Sequence, residues 1–217
     1  MKTDVQLQKD VQAELEWEPS VDAARIGVTV HDGVVTLGGH VRSFSEKWDA
    51  ERAAQRVAGV RALAVEIDVA LPGSSRRNDV DIARSAQNVL QWMTYLPNDA
   101  IRVLVEDGWL TLTGEVGWGY QRQAAVAAVR HLLGVTGVSD QIVVAPKVAL
   151  QDVKADIESA LRRRSASAAQ EISVDVRGAD VTLRGTVHSW SERDLAAHTA
   201  WGTPGVRSVI DKMTFAD

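Results

Sequence analysis

The chain has 217 residues, 45% of them hydrophobic and 24% charged, enough apolar content for packed cores and too much for wholesale disorder. It contains no Cys, which excludes disulfides, Cys-ligated zinc, iron–sulfur clusters and thiol catalysis together. Its net charge of −5 argues against nucleic acid as a partner, since general nucleic-acid binders carry a strongly basic face.

The chain opens Met1-Lys2-Thr3-Asp4-Val5-Gln6, with no apolar stretch behind the Lys, so no secretory signal is expected. No window approaches the ~20 apolar residues of a membrane span, and the expected location is cytoplasmic. Leu7, Val11 and Leu15 fall at i, i+4 and i+8, the stripe of an amphipathic helix. Ile26, Val28 and Val30 alternate, as do Val35, Leu37 and Val41, so two half-buried strands follow. His31-Asp32-Gly33 lies between them, and Asp-Gly is a hairpin signal because its Gly takes the positive φ the turn needs. Ala50, Ala54 and Val57 then mark a second helix, and Gly59 suits the left-handed position that stops one. Leu63, Ile67 and Val69 form a last strand.

The whole series recurs twice. Gly39, Gly114 and Gly185 anchor three copies, spaced 75 and 71 residues apart. Twenty residues past each anchor stands Gly-Val: Gly59-Val60, Gly134-Val135 and Gly205-Val206. Leu15, Leu90 and Leu161 lie 24 residues before it, and the first-strand triplets register without a gap. Copy two keeps the turn as Asp107-Gly108; copy three has Arg177-Gly178-Ala179, with its Gly one place earlier, so a different turn is expected. Copy three also runs into Trp201-Gly202-Thr203-Pro204, which predicts an early end to its second helix. The expected fold is α+β: three tandem small domains, each helix–strand–strand–helix–strand, with two helices on one face of a three-stranded mixed sheet. The expected domains are residues 1–72, 76–146 and 147–217, with Leu71-Pro72-Gly73-Ser74-Ser75 and Ala145-Pro146-Lys147 as linkers. Units of this size, ~65–70 residues, are near the lower limit for independent stability.

This element order, the small-residue second helix, the Gly-x-Val after the second strand and the Gly-Val before the third resemble the BON (bacterial OsmY and nodulation) domain, in three copies covering the chain. The resemblance implies a bacterial, stress-associated, non-catalytic protein that binds phospholipid or serves as an interaction module. Osmotic stress is the associated condition. Many members of the family carry a signal peptide, which is not seen here.

The residues themselves offer little chemistry. His31, His40, His131, His188 and His198 share no repeat position and make no i, i+4 metal pair. Gly117-Trp118-Gly119 lacks the third Gly of a dinucleotide fingerprint, and no Ser sits in a nucleophile elbow. No catalytic residue, metal site or cofactor is assigned, although an ion held by backbone carbonyls would leave no motif.

Two features point to binding. Trp17 and Trp92 share one repeat position, where copy three has Arg163. Trp92-Met93-Thr94-Tyr95-Leu96-Pro97 is an aromatic and apolar run at a helix end, and Arg162-Arg163-Arg164 suits anionic head groups. Trp92, Met93, Tyr95, Leu96, Arg162, Arg163 and Arg164 are therefore the candidate lipid-binding residues. The competing reading has the two Trp capping their own cores or filling a seam between units, and the Arg answering the helix dipole. The second feature is the outer sheet face of copy two, where Leu104, Trp109 and Val143 are expected to be covered by a flanking unit or a second chain. Charge is uneven: residues 1–72 hold 8 basic and 12 acidic residues, 73–146 hold 6 and 7, and 147–217 hold 10 and 10, so the first unit is the wrong end for anionic lipid. Peripheral binding to anionic phospholipid is the leading expectation. A protein–protein scaffold, including self-association, is the alternative, and a cation sensor a weaker one.

Overall fold

The computed structural model describes residues 2–145, 153–164 and 171–216. Pro146-Lys147 of the second expected linker and the side chain of Arg164 lie outside the described residues. Unit 1 comprises α1 (Asp4–Trp17), β1 (Ile26–His31), β2 (Val34–Val41), α2 (Phe44–Arg56) and β3 (Ala62–Val69). Unit 2 comprises α3 (Asp79–Gln91), β4 (Ile101–Glu106), β5 (Trp109–Val116), α4 (Gly119–Arg130) and β6 (Gly137–Val144). Unit 3 comprises α5 (Val153–Arg164), β7 (Ile172–Arg177), β8 (Asp180–Val187), α6 (Trp190–Trp201) and β9 (Ser208–Phe215). In each sheet the middle strand pairs antiparallel with the first and parallel with the last. The three units are thus the expected helix–strand–strand–helix–strand repeat.

The apolar periodicities become three cores. In unit 1 the α1 stripe Leu7, Val11 and Leu15 packs with Ile26, Val28, Val35, Leu37 and Val41 of the sheet and with Ala50, Ala53 and Ala54 of α2. Ala on α2 lets the helix axis approach the sheet closely, and units 2 and 3 repeat this with Ala125, Ala196 and Ala200. The anchor glycine has a steric reason. Gly39, Gly114 and Gly185 take φ of 128°, 137° and 131°, and a Cβ there would run into the carbonyl oxygen of Arg25, Ala100 or Glu171. Only Gly allows the middle strand to pass that carbonyl.

Local hydrogen bonds repeat where the sequence does. Asp32 and Gly33 both take left-handed φ, as do Asp107 and Gly108. Asp4, the first residue of α1, accepts the amides of Asp32 (2.9 Å) and Gly33 (3.1 Å); Asp79 does the same for Asp107 and Gly108 (2.9 Å each). One carboxylate thereby ties each helix start to its hairpin. Unit 3 differs as expected: Gly178 alone takes positive φ and Ala179 does not.

The second helix of unit 3 does not end early. Helix α6 reaches Trp201, the position where α4 ends at Arg130. Pro204 falls beyond the last turn, and Thr199 and Thr203 hydroxyls close that turn on the carbonyls of Leu195 (2.7 Å) and Thr199 (3.0 Å).

The three units close into a ring around α2, α4 and α6. Phe44, the first residue of α2, packs against the core of unit 2. Gly119, the first residue of α4, faces Trp201 of unit 3, whose ring and carbonyl would lie 2.7 Å from an added Cβ. Trp190, the first residue of α6, packs against the core of unit 1 and donates from its indole Nε1 to the Val60 carbonyl at 2.9 Å. Arg52 and Asp194 form an ion pair across the same contact. The start of each second helix therefore meets the next unit, in the cycle 1–2, 2–3, 3–1. Head-to-tail contacts that close in this way generate a ring with pseudo-threefold symmetry.

Candidate functional site

Positions related by such a pseudo-threefold axis lie at one level along it. Trp17, Trp92 and Arg163 occupy one repeat position at the C-terminal ends of α1, α3 and α5. They define a rim with an aromatic corner, a second aromatic corner and a basic corner. Trp17 is 82% exposed and Trp92 is 87% exposed, so neither caps a core nor fills a seam between units. The reading of these Trp as core caps or seam fillers is overturned.

The last turn of α1, which carries Trp17, is tied to α2. Arg56 on α2 pairs with Glu14 (2.8 Å) and Glu18 (2.7 Å), which brackets the last turn of α1. The Arg56 hydrogen bond, aided by Ser20, holds the Glu18 carboxyl below its ordinary range. At the basic corner Arg162 and Arg163 are exposed; Arg163 donates to Ser159 Oγ at 3.1 Å, and Arg162 lies 3.9 Å from Glu158.

At the second corner the sequence run divides. Trp92 and Tyr95 are exposed, whereas Met93 and Leu96 pack against the core of unit 2. Met93 and Leu96 therefore serve that core and form the base of the corner. Tyr95 instead joins two further aromatic residues. Its ring centre lies 6.0 Å from that of Tyr120, which lies 6.2 Å from Trp118. The signal was present in the repeat alignment: Trp118 and Tyr120 stand where copies one and three have Ser43/Ser45 and Ser189/Ser191. Ser43 and Ser189 cap their helices, accepting from Glu46 and Glu192 amides. Unit 2 gives up this cap, and Gln121 replaces the Glu. Gln121 Oε1 accepts the Trp118 amide at 3.0 Å, and its Nε2 donates to the Tyr95 carbonyl. In unit 1 Glu46 accepts the Asp22 amide instead (3.0 Å); the equivalent residue in unit 2 is Pro97, which has no N–H. The exchange of Glu for Gln thus fixes the aromatic corner.

On the outer sheet face of unit 2, Leu104, Trp109 and Val143 are 56%, 52% and 56% exposed. Units 1 and 3 leave them uncovered, because the ring turns its second helices inward and its sheets outward. The Trp109 ring lies over Gly137 on β6 of its own sheet. Among the described residues one group of three metal-capable side chains draws together, Asp4, His31 and Asp32. Both Asp4 oxygens already accept hairpin amides, which gives the group a structural role.

The BON domain model matches residues 3–70, 78–146 and 150–217. The chain belongs to the BON domain family. A search of curated proteins finds no significant match to this BON protein. Among solved structures it is similar to CdsD, described as a structural protein of the type III secretion system of Chlamydia trachomatis, at 13% identity and a TM-score of 0.27, covering 96% of this chain and 91% of that one. The PrgH periplasmic domain matches at 11% identity and a TM-score of 0.23, covering 89% of this chain and 96% of that one. These scores are below what a shared overall arrangement would give. The BON family is generally one of binding domains without catalysis, and a binding or scaffold role follows for this chain.

Proposed function

We propose that this BON protein has no catalytic step and docks peripherally on anionic phospholipid through the rim formed by the ends of α1, α3 and α5. The observation that carries the reading is the exposure of Trp17 and Trp92 at equivalent corners of a closed ring, with Arg162 and Arg163 at the third. Tyr95 and Tyr120 widen the second corner. Indoles at the head-group level and guanidiniums on phosphate divide the work. Each Arg near an anionic surface adds ~1 kcal/mol. Unit 1 is acidic as a whole and exposes Glu16 beside Trp17, while Glu14 and Glu18 are paired with Arg56, so its corner contributes an indole rather than charge attraction. Among the described residues no helix is long and apolar enough to cross a membrane.

The test is co-sedimentation with liposomes of phosphatidylglycerol or of phosphatidylcholine alone, at low and physiological salt. Binding to the anionic liposomes only, weakened by salt and by Trp17→Ala/Trp92→Ala, supports the reading. Equal binding to both lipids, or none, rejects it. One observation favours a second reading, a protein scaffold: the exposed Leu104, Trp109 and Val143 on one sheet face suit a partner or a second copy of the chain. Trp109→Ser would then shift the oligomeric state or partner capture without changing lipid binding.

A further inference from the structure

The inward faces of α2, α4 and α6 do not fill the centre of the ring. They leave an open cleft of about 690 Å³, within the range of small-molecule sites, lined by Trp48, Val126, Arg130, Leu195 and Trp201 among others. The charges around it are unequally matched. Arg52 is paired with Asp194, and Arg122 with Asp140 at 2.7 Å. Arg130 makes no hydrogen bond or ion pair among the described residues; it lies 3.7 Å from the centre of the Trp48 ring. Asp49 and Glu51 of α2 attract it and Arg52 repels it, without an ion pair forming among the described residues. His198 also lines the cleft. One guanidinium is therefore half-buried, stacked on one side and unpaired at its edge, beside apolar and aromatic surface.

We propose that this cleft binds a small amphipathic organic anion, its acidic group on Arg130 and its apolar body against Val126, Leu195 and Trp201. A planar guanidinium fork matches a carboxylate or sulfonate, and a bound anion would supply the partner that the described residues do not. The cleft lies at the ring centre and the lipid-facing rim at the ends of the outer helices, so this site does not depend on the docking reading.

The experiment titrates the full chain with 8-anilinonaphthalene-1-sulfonate, following dye emission and its excitation transfer from Trp. One saturable site per chain is expected. Arg130→Gln is expected to weaken it about tenfold, the loss of one charge-assisted hydrogen bond. Arg130→Lys restores part of the affinity, and Ala127→Phe, which fills the cleft from α4, abolishes binding while the far-UV spectrum stays native. The neutral analogue N-phenyl-1-naphthylamine binds at least tenfold more weakly. Trp17→Ala/Trp92→Ala leaves dye binding unchanged, and phosphatidylglycerol vesicles do not displace the dye. Non-saturable binding, equal affinity in Arg130→Gln or for the neutral analogue, or loss in the rim variant would overturn the proposal and leave Arg130 as a stacking contact between units 1 and 2.

Discussion

Replacing Trp190 by Ala separates the ring from its parts. Trp190 is half-buried, packs against the core of unit 1, donates to the Val60 carbonyl at 2.9 Å and sits 5.2 Å from Phe215 within unit 3. Truncating a fully buried Trp costs ~3–5 kcal/mol, so half burial scales to about 2 kcal/mol. The lost hydrogen bond leaves the Val60 carbonyl without its partner, for about 1 kcal/mol more. Most of this loss of about 3 kcal/mol falls on the contact between units 1 and 3, which no chain segment joins directly. The ring should open at that seam while each unit keeps its fold. Small-angle scattering is the assay for the opening, with urea unfolding beside it. The expected result is a larger radius of gyration, and one cooperative transition splitting into at least two. Trp190→Phe keeps the packing and should lose only about 1 kcal/mol, with the ring closed. An unchanged radius and a single unshifted transition in Trp190→Ala would refute the closed ring.

Two further predictions follow from single residues. Gly39→Ala places a Cβ against the Arg25 carbonyl at a φ of 128° and is expected to cost about 3–5 kcal/mol, whereas Gly38→Ala, with nothing within 4 Å, changes little; equal melting temperatures for the two variants would contradict the steric account. Burial holds the Glu51 carboxyl above its ordinary range, with Lys47 and Arg130 pulling the other way. A carboxyl with a higher pKa folded than unfolded stabilises while protonated and loses that contribution as pH rises through its folded pKa. Glu51→Gln is therefore expected to raise Tm at pH 8 and to leave it nearly unchanged at pH 4; a Tm lowered at pH 8 would show that the carboxylate is stabilised there.

The units were legible in the sequence because their determinants are local. Leu7, Val11 and Leu15 declare a helix by spacing, Asp32-Gly33 declares a turn by conformation, and Gly39 recurs as Gly114 and Gly185 because one carbonyl passes too close for any side chain. The ring was not legible. Its contacts join residues as distant as Val60 and Trp190, and the three interface positions carry Phe44, Gly119 and Trp190. The Gly looks like a departure until Trp201 is seen to fill its place from the opposite side. The same contact gives α6 a reason to run to Trp201, which Thr203-Pro204 appeared to forbid. Exposure of Trp17 and Trp92 was undecidable from their position at a helix end, since a cap and an anchor share that spacing. Met93 and Leu96 fell to the core of unit 2 because the chain turns beneath them after α3.

Brominated phosphatidylglycerol offers the most direct measurement, because bromine quenches an indole only at contact depth. The chain is compared with Trp17→Phe, Trp92→Phe and the double variant on the same vesicles. Rim docking predicts that quenching falls in each single variant and falls further in the double, with what remains lost on adding Trp118→Phe, since both corners enter the interface together. Quenching that survives the double variant even with Trp118→Phe added would place another surface on the membrane and contradict the account.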